Sequence, residues 1–324
     1  MASLMTEEVI FLGTGVSTGL PRLSCILQKE KAQCKVCQQA WRDPFDKNYR
    51  CNVSVLVRCR RPGTEERVTV MIDAGKTMRD AALRWFPRHG VTGIDAVLLT
   101  HGHADACGGM DDLRDFTSFV KGPRGAQDKD RKSGAAGIKS GYFGLQRELP
   151  VFLNQETFDV CRGAYPYLVP ALRQDSCPRR VASLRWEVID NNSDFEILGV
   201  KIVPLPVLHG GSYVCLGFSF DGGKFVYLSD VSEVQPPIMA QLESYSIETL
   251  ILDCLDRGTS PSHFCLPDTL ALVRKLRPQK TLLVGMSCEL GLHDEVNEEL
   301  RELLSTEGLD VQLAHDGLSI KIKP

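Results

Sequence analysis

Two histidines and an aspartate alternate as His101-Gly-His103-Ala-Asp105, directly after the apolar run AVLLT. Imidazoles and a carboxylate at every second position can converge on one cation, or on two neighbouring ones, where a strand gives way to a loop. A His-x-His pair also has a plain alternative, two solvent-facing loop histidines. Further residues of the same kind weigh against it. His209 ends VKIVPLPVLH and precedes Gly-Gly, Asp230 ends FVYLSD, and Asp73 ends VTVMID. Ligating residue types at the ends of separate apolar runs are what a fold needs to gather a site at one sheet edge. Nitrogen and carboxylate donors together suit Zn, Mn or Fe, and a carboxylate such as Asp230 can bridge two ions.

Cysteines supply a second set of candidates. Cys34-Lys-Val-Cys37 is a C-x-x-C, which by itself is a redox pair, half of a zinc site, or a coincidence. A thioredoxin-like pair opens a helix in a βαβ unit, and the flanks KEKAQ and QQAWRDP offer no such setting. The chain has 12 cysteines and no secretory pattern in MASLMTEEVIFLG, so reduced thiols or metal ligands are expected rather than disulfides. Cys59, Cys107, Cys161, Cys177, Cys215, Cys254 and Cys265 read as small buried apolar residues.

These residues need strands to carry them. Short β-like runs recur: VIFLG, VSVLVRC, VTVMID, AVLLT, VKIVPLPVLH, VCLGFSF, KFVYLSD, TLILDCL, KTLLVG and LSIKIKP. Several alternate apolar with small or polar residues, which predicts one face in a core. Helical periodicity occupies Lys76–Phe86, Asn154–Arg162, Leu266–Leu276 and Asp294–Ser305, with Pro267 suited to a first helical turn. Strand-rich stretches with interspersed helices predict two sheets packed face to face with helices outside, not one doubly wound sheet. Lys121–Arg147 is rich in Gly, Lys, Arg and Asp and has no apolar period; it reads as a mobile surface insertion. The 324 residues suffice for one large domain, and the reading is a single domain over 1–324. A net charge of −3 gives no support to a polyanion binder. No apolar run approaches the ~20 residues of a membrane span. The expected setting is cytoplasmic.

The order DAG (Asp73), THGHAD (Thr100–Asp105), His209 and LSD (Asp230) resembles the metallo-β-lactamase superfamily, from LGTGVSTGLP at Leu12–Pro21 to LAHDGLSIKI at Leu313–Ile322. GTGVSTGLP, GGMDDLR (Gly108–Arg114), SHF (Ser262–Phe264) and HDG look most like its phosphoribosyl cyclic phosphodiesterase group, relatives of the tRNA 3′-processing nuclease. The glycine-rich stretch has the wrong spacing for a dinucleotide fingerprint and reads as a tight turn. The resemblance implies an α/β (α+β) fold, a four-layer αββα sandwich, in which activated hydroxide attacks a phosphodiester. It implies that His101, His103 and His209 bind one metal, that Asp230 bridges, and that Asp105 belongs to a second metal.

Two departures fall on that second metal. Ala106 stands where a histidine is usual, and LVGMSCEL offers Gly285 where another is expected. The expectation is therefore one tight ion and a second site that is weak, vacant or rebuilt by His263 or His293. A single ion still polarises a phosphoryl oxygen and lowers the pKa of water from ~15.7 towards ~7. Asp105 could then orient or deprotonate that water, and His263 matches the family's proton donor. Asp112 and Arg114 read as an ion pair, with Arg114 available to a substrate phosphate. Asp73 is expected to hold the other ring nitrogen of a ligand histidine.

Some relatives carry a structural zinc on three early cysteines and a late histidine. Here Cys25, Cys34 and Cys37 match, with Cys288 replacing the histidine and Cys51 as competitor, in a loop over 22–51. The implied partner is a small phosphodiester, not a polynucleotide, and family analogy gives a homodimer. The alternatives are hydrolysis of another ester or thioester, or a non-catalytic protein that has lost turnover with Ala106 and Gly285.

Overall fold

The computed structural model describes residues 4–28, 34–60, 63–117, 148–172 and 181–322; the expected insertion at 121–147 and Cys177 lie outside them. The strands are β1 (Met5–Gly13), β2 (Ser54–Arg60), β3 (Arg67–Ile72), β4 (Ala96–Leu98), β5 (Leu149–Leu153), β6 (Leu184–Val188), β7 (Phe195–Ile197), β8 (Val200–Leu208), β9 (Val214–Phe220), β10 (Phe225–Leu228), β11 (Thr249–Asp253), β12 (Lys280–Val284), β13 (Val311–Leu313) and β14 (Ser319–Lys321). The helices are α1 (Leu23–Leu27), α2 (Lys35–Arg42), α3 (Met78–Trp85), α4 (Ala104–Cys107), α5 (Gln155–Ala164), α6 (Pro236–Glu243), α7 (Leu266–Leu276) and α8 (His293–Glu307).

Two seven-stranded sheets form, ordered β14-β1-β2-β3-β4-β5-β6 and β13-β12-β11-β10-β9-β8-β7. Each sheet is apolar on both faces, so the expectation of one core face per strand is corrected. In β1, Val9 and Phe11 point between the sheets, where they join Val70 and Leu98 against Phe218, Tyr227 and Ile251. Ile10 and Leu12 point the other way, into a second cluster with Met78, Ala81 and Ala82 of α3. On the far side, Leu250 and Leu252 of β11 meet Leu242 of α6, Val273 of α7 and Leu300 of α8. The period of two thus assigns alternate residues to two apolar layers, which is why the strands read as nearly unbroken apolar runs. The result is the four-layer αββα sandwich.

Strand direction places the site. β10, β11 and β12 are parallel, while β9 is antiparallel to both β10 and β8. The C-terminal ends of β8, β10, β11 and β12 therefore share one edge with the start of β9. In the other sheet β3 and β4 run parallel, and Leu216 of β9 donates to the carbonyl of Thr100 just past β4, joining the sheets at that edge.

Candidate metal centre

His101 follows β4, His209 follows β8, and Asp230 follows β10. The ring centroids of His101, His103 and His209 lie 4.7, 5.1 and 5.2 Å apart pairwise. One donor atom from each of these three lies within 4.8 Å of the others, as do donors of His209, Asp230 and His263. Chain positions more than 100 residues apart thus converge on one point.

The hydrogen bonds fix which nitrogen faces it. His209 Nδ1 is 2.7 Å from the Ser262 carbonyl, which can only accept, so Nδ1 carries the proton and Nε2 a lone pair. Thr100 donates from its backbone N–H to Asp73 (2.8 Å), and its hydroxyl lies 2.9 Å from the same carboxylate and 2.8 Å from His101 Nδ1. With a single hydrogen, that hydroxyl donates to Asp73 and accepts from His101 Nδ1–H. Asp73 was expected to hold a ligand histidine directly; it does so through Thr100. His101 Nε2 is then a buried lone pair, and it has no hydrogen-bond partner. A buried acceptor left without a donor is costly, and a cation among these rings satisfies it. The donor set fits a divalent ion. Burial pushes His101 down to about 4 and His209 below its ordinary value, keeping both in the neutral, ligating form.

Burial drives Asp230 upward, yet the rings of His101, His209 and His263 outweigh it and hold the carboxylate below its usual range. Burial also lowers His263, but the Asp253 carboxylate, 2.9 Å from its Nδ1, raises it to about 9 overall. Asp253 is pushed up to about 7 by full burial, against the pull of His263. Asp253 escaped the sequence reading, although it ends the apolar run TLILD with the same signature as Asp73 and Asp230. Tyr213, also missed, stacks flat on His103 at 4.8 Å, and its hydroxyl accepts the Gly102 N–H at 3.1 Å. No hydropathy pattern marks a lone tyrosine in the loop before β9. Cys215, taken from sequence as simple core, has its thiol 3.8 Å from His101 Nδ1.

Asp105 lies on α4, where burial and the charge of Asp230 raise its carboxyl above the ordinary value. Its backbone carbonyl comes so close to Gly75 that a Cβ there would sit 1.7 Å away, so only glycine admits this approach. Gly285 is likewise constrained: its φ is +76°, and a Cβ would fall 2.3 Å from Asp253 Oδ1. The missing histidine at Gly285 is thus coupled to the carboxylate of Asp253.

The other candidates separate from this centre. The Asp112–Arg114 pairing is corrected: Arg114 pairs with Asp111, whose carboxylate also accepts from Tyr167, so the pair forms one residue earlier in the chain. His293 does not rebuild the centre; its ring is held by Asn297 and packs near His315. Cys25, Cys34, Cys37 and Cys288 form a second cluster, with sulfurs all within 4.8 Å of one another. The Cys25–Cys288 separation of 3.9 Å is far too long for a disulfide. It is close to the edge of about 3.8 Å that Zn–S bonds of ~2.3 Å give a tetrahedron. Arg22 donates its backbone N–H to the sulfur of Cys37 and its guanidinium to that of Cys288, the second suited to a thiolate. A bond from Cys37 is the chief cause that lowers Cys288 to about 5. Cys51 is not a competitor here, since it lies beside Asp316, to which its N–H donates at 2.7 Å. Cys59, Cys107, Cys161, Cys254 and Cys265 are buried, as expected.

Comparison with known proteins agrees with this geometry. A diphosphatase of the PhnP family superposes with a TM-score of 0.71 at 27% identity, covering 98% of each chain. Zn(2+)-bound PqqB from Methylobacterium extorquens superposes at 0.65 with 17% identity, over 97% of this chain and all of that one. The short form of human tRNase Z does so at 0.55 with 16% identity, over 98% of this chain and all of that one. These last two share the fold. Among curated proteins, an octanoyltransferase of Porphyromonas gingivalis is 25% identical over 315 residues; the chain spans 96% of itself but only 53% of that protein. The profile of the metallo-beta-lactamase superfamily matches residues 50–309. With that match over most of its length, and the histidines and aspartates gathered at one sheet edge, the chain belongs to the metallo-beta-lactamase superfamily of metal-dependent hydrolases.

Proposed function

We propose that the protein is a phosphodiesterase acting on a small cyclic or nucleotide-like phosphodiester. The observation that carries this reading is the buried, partnerless Nε2 of His101 beside His103 and His209, with Asp230 within donor reach of His101 and of His209. The likeness to a diphosphatase over nearly the whole chain supports phosphorus as the reacting centre. These four residues would hold one divalent ion, Zn or else Mn or Fe. Such an ion supplies a Lewis acid that neutralises phosphoryl charge and makes water acidic enough to ionise near neutrality.

The chain's own groups do the rest. The Asp73–Thr100 pair keeps the His101 proton on Nδ1. The Ser262 carbonyl does the same for His209, and Tyr213 holds the plane of His103. Asp105, outside the tight donor set but within reach of the Asp230 charge, orients the attacking water and accepts its proton.

Cys25, Cys34, Cys37 and Cys288 would hold a structural zinc. Bound there, it would tie the loop around α1 and α2 to the segment after β12.

The test is a substrate panel with metal-loaded protein: a bis-aryl phosphodiester, a ribose cyclic phosphate, a diphosphate and an octanoyl thioester. Phosphodiester turnover that is lost to chelation and restored by metal is expected. Turnover of the thioester alone, or of none of the four, overturns the reading.

A further inference from the structure

Arg50 is the largest fully buried side chain among the described residues, only 1% exposed. Burial lowers its pKa to about 10, so it keeps its charge at neutral pH. A guanidinium buried this deeply ordinarily rests against a carboxylate. Here one nitrogen, Nη1, reaches the sulfur of Met286 at 3.0 Å and the carbonyl of Ala314 at 3.3 Å, and Nε is buried without an acceptor. Asp316 acts on Arg50 through space, because its two oxygens are taken at contact by the Thr14 hydroxyl and the Cys51 N–H.

His293, the first residue of α8, supplies a second orphaned donor. Asn297 accepts the Leu313 N–H on Oδ1 at 2.8 Å, so its amide nitrogen is the atom 2.9 Å from His293 Nε2. That nitrogen donates, so Nε2 accepts and the ring proton sits on Nδ1, which is buried and partnerless. Burial and then the Arg50 charge push this ring down to about 3, so it stays neutral. Arg50 and His293 are tied together from two sides. Asn48, two residues before Arg50, accepts the His293 N–H at 2.9 Å. Opposite, the Arg50 guanidinium meets Ala314, and His315, next in the chain, places its ring 5.6 Å from that of His293.

What the two buried donors lack is an acceptor, and the charge left uncovered at contact is positive. The first turn of α8 adds its dipole, with Leu292 as an N-cap that offers no side-chain oxygen. Water would need acceptors for its own hydrogens, and the adjoining Met286, Val296 and Leu313 belong to an apolar cluster. A monatomic anion needs donors alone.

We propose that Arg50 and His293 bind a small inorganic anion, a halide such as chloride, in the interior between Ala314 and the start of α8. Leu20 pairs with the backbone of Arg50, and a Cβ on Gly15 would fall 2.5 Å from that of Arg50. The anion therefore locks the glycine-rich loop to α8 and β13. The site shares no residue with the metal centre or the cysteine cluster, and it holds whatever reaction that centre performs.

Bromide is the probe. Purified full-length protein in sodium gluconate is titrated with sodium bromide at constant ionic strength, and Tm is followed. A saturable rise is expected, of about 4 °C at ~100 times Kd. Anomalous diffraction at the bromine edge should place one ion in contact with Arg50 Nε and His293 Nδ1. His293→Phe keeps an aromatic ring and removes the donor, and should weaken bromide about 10-fold or more. Arg50→Met should abolish the response. Bromide on the surface alone (an adventitious ion only), a peak at this point without anomalous signal, or an undiminished response in His293→Phe each overturns the proposal.

Discussion

Thr100 illustrates how much one hydroxyl carries at this centre. It lies between Asp73 and His101, and its single hydrogen decides which ring nitrogen of His101 presents a lone pair. Thr100→Val keeps the shape and removes that hydroxyl. It should weaken the ion proposed at His101 about 10- to 100-fold, measured by zinc competition, with Thr100→Ser restoring it. Equal affinity in all three proteins would remove the relay from the mechanism. Asp230 is closer to the chemistry, flanked by His101, His209 and His263. Since groups one step removed from a metal cost up to about 100-fold, Asp230→Ala should lower phosphodiester kcat/KM by more. Activity that survives it would refute the assigned centre while leaving the enzyme reading open.

Elements place these residues through strand direction and through what their ends allow. The turn after β12 passes Gly285 at φ +76°, hard against Asp253 at the end of β11. A side chain there is strained twice, by the left-handed backbone at about 1–3 kcal/mol and by collision with a buried carboxylate. Gly285→Ala should therefore lower the denaturation midpoint, while Gly308→Ala, also at positive φ but only near the far end of Arg277, should cost less. Equal losses would mean that the Asp253 contact adds nothing. Of the helices, Leu266–Leu276 was legible to the residue, because Pro267 and the apolar period mark its start and span. β5, β6, β7 and β13 were not read as strands. LPVFL adjoins a charged stretch, LRWEV carries charges within the strand, and FEI and VQL are too short for a period of two to register. α2 was missed because a run of polar residues hides Val36, Cys37 and Ala40.

At the scale of the molecule, the cluster of four cysteines joins the beginning of the chain to residue 288 near its end. Asp316 adds a second such tie by accepting from Thr14 and from the Cys51 N–H. Cys37→Ser should abolish zinc binding at the proposed structural site and lower Tm by at least about 5 °C, roughly 2 kcal/mol in a chain of this size. The chemical step should change little. An unchanged Tm with lost turnover would place the cluster in catalysis instead. No helix among the described residues is long and apolar enough to cross a membrane.

The sequence by itself determined the superfamily, the layered fold and most of the candidate centre: His101, His103, His209 and Asp230 are signals at strand ends and Cys34-x-x-Cys37 is a spaced motif, whereas Cys25 and Cys288 emerged only through the family resemblance. Tertiary structure alone decided that Asp253 holds His263, that Thr100 mediates between Asp73 and His101, that Arg114 belongs to Asp111, and that Gly285 yields its space to a carboxylate. The reason is physical. A strand end announces a polar residue through the apolar run before it, whereas a hydrogen bond between two such ends depends on which strands lie side by side. That neighbourhood is fixed when two sheets bury a common core, and no stretch of the chain carries it alone.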